Sequence, residues 1–230
     1  VFRTELLPHG MNPGKEEKVR AVLRAWRRVA PGLAAEQWRL FFREGEFNKQ
    51  YSPTKQERDR LKEVAGTAAR VQMVRRQVVG VLESYVSNRQ EECRQRVMRI
   101  DPQRSDSTQD WWSEDLRHEL LYINAWQAWF HPDGLPPMEE KGEVSEKARR
   151  LARWLMKDIL SRHRKPSFRH INMMLDQREV ELEEPERADE FAYWVSFSTM
   201  KWGETLDIPV RTHDHFENRR GEQSNSLQFV

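Results

Sequence analysis

FAYWVSFSTMKWGETLDIPVR, residues 191–211, decides the fold. Phe191–Ser198 alternates aromatic with small polar side chains, the period-2 pattern of a half-buried strand. Thr205–Arg211 places Leu206, Ile208 and Val210 on one face. Pro209 confines that strand to an edge or a bulge, because proline donates nothing to a ladder. Further out, Arg169–Leu175 and Arg178–Leu182 read as two strands around the Asp176-Gln177 turn. Asn218-Arg219-Arg220-Gly221 reads as a turn, and Ser226–Val230 as one more strand. At the opposite end, Phe2–Leu7 shows Phe2, Thr4 and Leu6 on one side and is closed by Pro8. The pattern predicts an α+β chain. A small barrel or curled sheet over 169–230 is completed by a strand from the N-terminus, and helices are inserted between.

The insertion is written in helical grammar. Asn12-Pro13 opens a helix, with Asn as N-cap, Pro at the first position and Glu16 and Glu17 in the first turn. Val19, Val22, Leu23, Trp26 and Val29 or Ala30 recur at helical spacing, and Pro31-Gly32 predicts a stop. A second helix over 33–44 presents Leu33, Trp38, Leu40 and Phe41, and Gly45 ends it. Phe47–Pro53 reads as a loop. Thr54 caps a short charged helix to about Val64. The longest helix follows Gly66, with Thr67 as N-cap and Asp101-Pro102 as terminator. Its buried stripe is Val71, Val74, Val78, Val81 or Leu82, and Tyr85. Residues 103–110 form a polar linker. Trp111–Phe130 reads as a helix, His131–Gly142 as a Pro/Gly loop, and Ser145 caps a helix to about Arg164. In that last helix Ala148, Leu151, Ala152, Leu155 and Ile159 face inward.

A length of 230 residues suits one large domain or two small ones. Nine Trp and ten Phe are enough to build cores despite 33% charged residues. No apolar run approaches the roughly 18 residues of a membrane span. The single Cys93 excludes a disulfide framework or a cysteine zinc site within this chain and fits a reducing, cytosolic setting. Charge is strongly asymmetric. Residues 1–104 hold 22 Lys/Arg against 13 Asp/Glu, and residues 105–230 hold 17 against 24. The basic residues are mostly Arg, whose planar fork suits phosphates and guanine edges.

Two basic segments point to nucleic acid. Opposite its Val stripe, the longest helix carries Arg70, Gln72, Arg75, Arg76, Gln77, Asn88, Arg89, Arg94 and Arg96. An Arg/Gln face of this kind matches a helix lying along a phosphate backbone or groove, and a solvated charged face has the same composition. Residues 147–169 hold nine Lys/Arg and one acid, and Arg162, Arg164, Lys165 and Arg169 stand at the helix end and exit. His213-Asp214-His215 could supply two metal ligands, but no third ligand cluster accompanies it, so no metal site is assigned. Glu16/Glu17, Glu91/Glu92 and Glu183/Glu184 read as helix-end and surface pairs, and no catalytic residue is assigned. Trp111-Trp112 and the Trp126/Trp129 pair read as core rather than as base-stacking platforms. There is no Walker loop, GxGxxG, GxSxG or HExxH motif.

The layout, with FRTELLPH at residues 2–9, GETLDIPVRTHDHFE at 203–217 and SNSLQFV at 224–230, resembles the N-terminal half of the transposon-encoded TnpB nucleases and the related type V CRISPR effectors. The resemblance covers the whole chain. It implies a wedge (WED), OB-like barrel split in sequence, with residues 1–10 its first strand and 166–230 the remainder. It implies a helical recognition (REC) insertion over 11–165, with subdivision near 103–110. It implies guide RNA and a target DNA duplex as partners, and Gln72, Arg75 and Arg76 near the motif-bearing duplex. A RuvC nuclease and its Mg²⁺ belong, on this reading, to a longer parent or partner subunit, because the family's Asp-containing strand, Glu and zinc ribbon are not found in these residues, whose Val start and mid-strand finish read as cuts. No cofactor and no membrane are expected for this chain, and its setting is a prokaryotic, nucleoid-associated cytoplasm. The competing readings are a stand-alone DNA-binding regulator and a protein-interaction module without catalysis. The acidic stretch 105–146 has no assigned role.

Overall fold

Strand β3 (Tyr193–Ser198) buries Tyr193, Val195 and Phe197 and turns Trp194, Ser196 and Ser198 outward, as its alternation predicts. The computed structural model describes residues 8–50, 54–99, 113–140, 142–176, 178–183, 191–212 and, for backbone alone, 226–229. β3 is the centre of a three-stranded antiparallel sheet, between β2 (Val180–Glu183) and β4 (Thr205–Val210). The register sets Phe197 beside Val180 and Leu206, and Val195 beside Leu182 and Ile208. These same-face pairs are the unit of sheet stability.

Pro209 lies on the edge strand, as expected. Its carbonyl accepts the Gly10 N–H at 2.8 Å, and the Arg211 N–H donates to the Pro8 carbonyl at 3.0 Å, closing an antiparallel bridge between His9 and Val210. A side chain at Gly10 would meet the Phe191 ring at 3.0 Å and Pro209 Cγ at 3.1 Å, so those two side chains would have to shift to admit one. The chain just after Phe2–Leu7 therefore does run beside the C-terminal sheet. Phe2–Leu7 itself lies outside the described residues, as do 103–110, Trp111-Trp112, His213-Asp214-His215 and the turn at 218–221. β1 (Met173–Asp176) and β2 follow one another around a turn closed by Glu179 N–H to the Asp176 carbonyl at 3.0 Å. They do not pair. β1 instead pairs antiparallel with β5 (Ser226–Phe229) in a separate two-stranded sheet.

The helices are α1 (Pro13–Glu44), α2 (Lys55–Ala65), α3 (Ala68–Arg99), α4 (Glu114–Ala125) and α5 (Glu146–Arg162). Thr54, Ser113 and Ser145 cap α2, α4 and α5 by accepting the N–H groups of Glu57, Leu116 and Ala148. One expectation is corrected: Pro31-Gly32 does not stop the first helix, and α1 runs through it. An interior proline loses one backbone bond and costs about 3 kcal/mol. Val29, Ala30, Leu33 and Ala34 are buried around it, and their burial holds the backbone helical.

The chain forms two compact units: Val1–Leu33, Lys49–Val78 and Ser167–Val230, the sheet unit, and Ala34–Asn48 and Val79–Pro166, the helical unit. The helices of the 11–165 stretch are thus shared between them. In the sheet unit, Val19, Val22, Trp26 and Val29 of α1 and Val71, Val74 and Val78 of α3 are buried with the inward faces of the strands. The helical unit has a core of Phe41, Val86, Val97, Leu120, Trp129 and Met156 with their neighbours. No described helix is long and apolar enough to cross a membrane.

Candidate nucleic-acid interface

Five of the expected contact residues lie on the first turns of α3, in the sheet unit. Arg76 is exposed. Arg70 and Arg75 are not: they are 1% and 3% exposed, which corrects the expectation that they line an open face. Arg70 Nη2 pairs with Glu179 Oε2 at 2.7 Å and donates to the carbonyls of Ser198 (2.7 Å) and Thr199 (2.9 Å). Thr67 Oγ1 donates to Glu179 at 2.6 Å. Arg75 Nη1 donates to Gln72, which is half-buried. Gln77 accepts from Trp26 Nε1 at 2.9 Å and donates to the Asn172 carbonyl at 2.8 Å, so it ties α1 to the segment before β1. The physical reason is enclosure. Arg70, Val71, Met73, Val74, Arg75 and Val78 are all buried, so the start of α3 has protein around most of its circumference. A single-stripe reading takes such a helix to be open on one side.

In the helical unit, Asn88 is exposed, and Arg89 lies over the Tyr85 ring at 5.7 Å and near Glu92 at 3.4 Å. Arg94 pairs with Glu91 at 2.7 Å, and Arg96 with Glu92 and Asp158 at 3.1 and 3.0 Å. The hydrogen bond from Arg94, with a second from Gln95, holds the Glu91 carboxyl at about 2, well below its ordinary range. Arg162 is exposed and pairs with Asp158 at 2.8 Å, and Arg164 is exposed. Lys165 sits over Trp38 at 5.1 Å and Phe42 at 5.5 Å, at the edge of an aromatic cluster that also holds Phe41 and Phe47. Arg169 is exposed and belongs to the sheet unit.

The outer face of α5, within the basic 147–169 run read from the sequence, carries exposed cations and an exposed tryptophan beyond the residues expected as contacts. Ala148, Ala152, Leu155, Met156, Ile159 and Leu160 are buried. Opposite them, Lys147, Arg150, Trp154, Lys157 and Ser161 are exposed. At 3.6 residues per turn these five fall within an arc of about 80°, pointing away from the core. Arg150 reaches Glu146 at 3.8 Å, and the other described acid of α5, Asp158, is engaged by Arg96 and Arg162. Trp154 is 61% exposed. The signal was present in the sequence as spacing: 147, 150, 154 and 157 step by three and four.

The other candidates carry less. Glu16 pairs with Arg20 and Glu17 with Arg24, as helix-surface pairs should. Trp129 is core, donating to Asn124 Oδ1 at 3.1 Å, but Trp126 is 58% exposed and so departs from the core reading. Burial pushes the Cys93 thiol up to about 11. Trp202, 96% exposed, tops the β3–β4 hairpin, which is braced by Thr199 to Glu204 at 2.7 Å and Lys18 to Glu204 at 2.7 Å. Among the described residues no group of three or more His, Cys, Asp or Glu is placed to hold a metal ion. No family model, curated protein or solved structure matches the chain.

Proposed function

We propose that this chain is a nucleic-acid-binding module, with the outer face of α5 and the Arg164-Lys165 exit as its contact surface in the helical unit. One observation carries the reading. Lys147, Arg150 and Lys157 stand exposed on the arc of α5 opposite its core. Aligned cations of this kind bind a polyanion by releasing its counterions. Arg76 and Arg169 are exposed cations of the sheet unit. Arg70 and Arg75 are excluded from the contact set by their burial.

The same reading extends to the guide-RNA- and target-DNA-binding part of an RNA-guided effector, with a split wedge barrel and a recognition insertion. Two observations support it. The elements are α+β in the expected order, and His9 bridges to Val210 across nearly the whole sequence, as a split sheet requires. On this reading the RuvC nuclease and its Mg²⁺ lie outside these residues.

The test is the triple variant K147A/R150A/K157A. Alanine keeps the helix, and all three side chains are exposed, so folding is retained. Binding of labelled DNA and RNA is measured across a salt series. Each lost phosphate contact lowers the log–log salt slope by about 0.7 to 0.9, so the slope should fall by roughly two to three. An unchanged slope refutes the α5 surface.

A further inference from the structure

We infer that Trp154 is a stacking platform for an unpaired nucleobase, so that the α5 face takes single-stranded nucleic acid in preference to duplex. The inference rests on the reading of α5 as a phosphate-binding surface and names the ligand class of that surface.

The position of Trp154 is the first ground. An indole is among the largest apolar surfaces a side chain can offer, and leaving it in water forfeits its burial. The α5 core is complete without it: six residues of the opposite face are buried. Trp154 is 61% exposed in the middle of the outward arc. Its surroundings are the second ground. Arg150 lies one turn before it and Lys157 one turn after, both exposed, with Lys147 one turn further back. Residues three and four apart are neighbours on a helix surface, and Arg150 and Lys157 are about 10 Å apart along the axis. A strand running along α5 meets cations on either side of an open indole face. Phosphates take the cations, and a base between them takes the indole.

Duplex cannot use this arrangement, because its base faces are already stacked on one another and offer α5 only phosphates. Base stacking on an aromatic side chain tolerates any sequence, since every base has a π-face. A lipid surface fits less well. Interfacial helices bury a broad apolar face with their cations opposite, whereas here one aromatic residue stands between Arg150 and Lys157, with Leu151 and the ion-paired Asp158 as its other helix neighbours, and the apolar face is already spent on the core.

The test uses the full chain and three labelled probes: a mixed-sequence single strand, a strand of equal phosphate count with abasic sites, and the duplex. The variants are Trp154→Ala, Trp154→Phe and Trp202→Ala. The last removes an exposed tryptophan of the sheet unit, set in a hairpin tip rather than among a row of cations. The wild-type chain should bind the base-bearing strand about tenfold more tightly than the abasic strand or the duplex. Trp154→Ala should erase that preference and keep the salt slope. Trp154→Phe should keep most of the preference, and Trp202→Ala all of it. Circular dichroism confirms that each variant is folded. Equal affinity for the base-bearing and abasic strands overturns the inference, as does a Trp202→Ala loss equal to that of Trp154→Ala. So does Trp154-dependent binding confined to anionic vesicles or an acidic peptide. The two readings fail separately: an unchanged salt slope in K147A/R150A/K157A removes the phosphate surface itself. A slope that falls while Trp154→Ala changes nothing removes only the stacking.

Discussion

Arg70 shows what a charged side chain does once a fold closes around it. Its guanidinium meets Glu179 and three backbone or sulfur acceptors at the hairpin end, and the pair is 2% and 4% exposed. Removing one partner of a buried pair strands the other charge in a low-dielectric interior. Arg70→Met should therefore cost about 3–5 kcal/mol of unfolding free energy, whereas Arg70→Met/Glu179→Leu should lose distinctly less. Urea titration reads both, and equal losses would contradict the pairing account. Nothing local announces this role. Glu179 lies more than a hundred positions away in sequence, and an arginine beside Gln72 and Arg76 reads as part of an open basic face. Lys147, Arg150, Trp154 and Lys157 show the opposite case. Their exposure follows from helical spacing against the buried Ala148, Ala152, Leu155 and Ile159, four of the inward residues that the sequence does reveal.

Among elements, α4 shows where local rules are overridden. The sequence pattern extends the helix to Phe130, yet it ends at Ala125. The chain turns through Gln127 at φ 53°, with the Gln127 and Ala128 N–H groups donating to the carbonyls of Asn124 and Ile123. That is a left-handed helix stop, usually made by glycine. Here no glycine marks it. The turn places Trp129 in the core, and burying that ring outweighs the cost of the strained position. Gln127 is exposed, so Gln127→Gly removes the strain and loses no packing. Stability should rise by about 1 kcal/mol, seen as a higher urea midpoint at constant m-value. A fall would mean the Gln127 side chain holds the turn. Pro31 teaches the same lesson in reverse: a strong stop signal fails where Leu33 and Ala34 are buried just beyond it. Caps fared better. Thr54, Ser113 and Ser145 are each followed within three residues by the N–H they satisfy, so the information is local.

Across the whole molecule, the sheet unit gathers segments from both ends of the sequence and leaves the intervening helices to be shared. Alternation in 193–198 and 205–210 made β3 and β4 legible as strands, and Pro209 made β4 legible as an edge, whereas the described strands form a three-stranded sheet and a separate pair where one barrel or curled sheet was expected. Partner choice was not legible, because the β1–β5 pairing depends on where distant segments meet rather than on either segment's own pattern. The join at His9–Val210 can be tested directly. Pro209 sits where its absent N–H would face outward, and its carbonyl instead accepts from Gly10, while the next outward donor, Arg211, is satisfied by Pro8. An edge strand stripped of this cover exposes those groups to water. Deleting residues 1–10 should therefore accelerate amide exchange at Arg211 and lower protection along the β3–β4 ladder, although the deletion lies about 200 residues away in sequence. Substituting Gly10→Val should produce a weaker form of the same effect, since a side chain there meets the Phe191 ring and Pro209. Exchange at Arg211 that is unchanged by both alterations would show that the N-terminal segment does not pair in solution. The proposed split-sheet layout would then fail, and with it the proposed reading as part of an RNA-guided effector, while the α5 surface would stand on its own salt dependence.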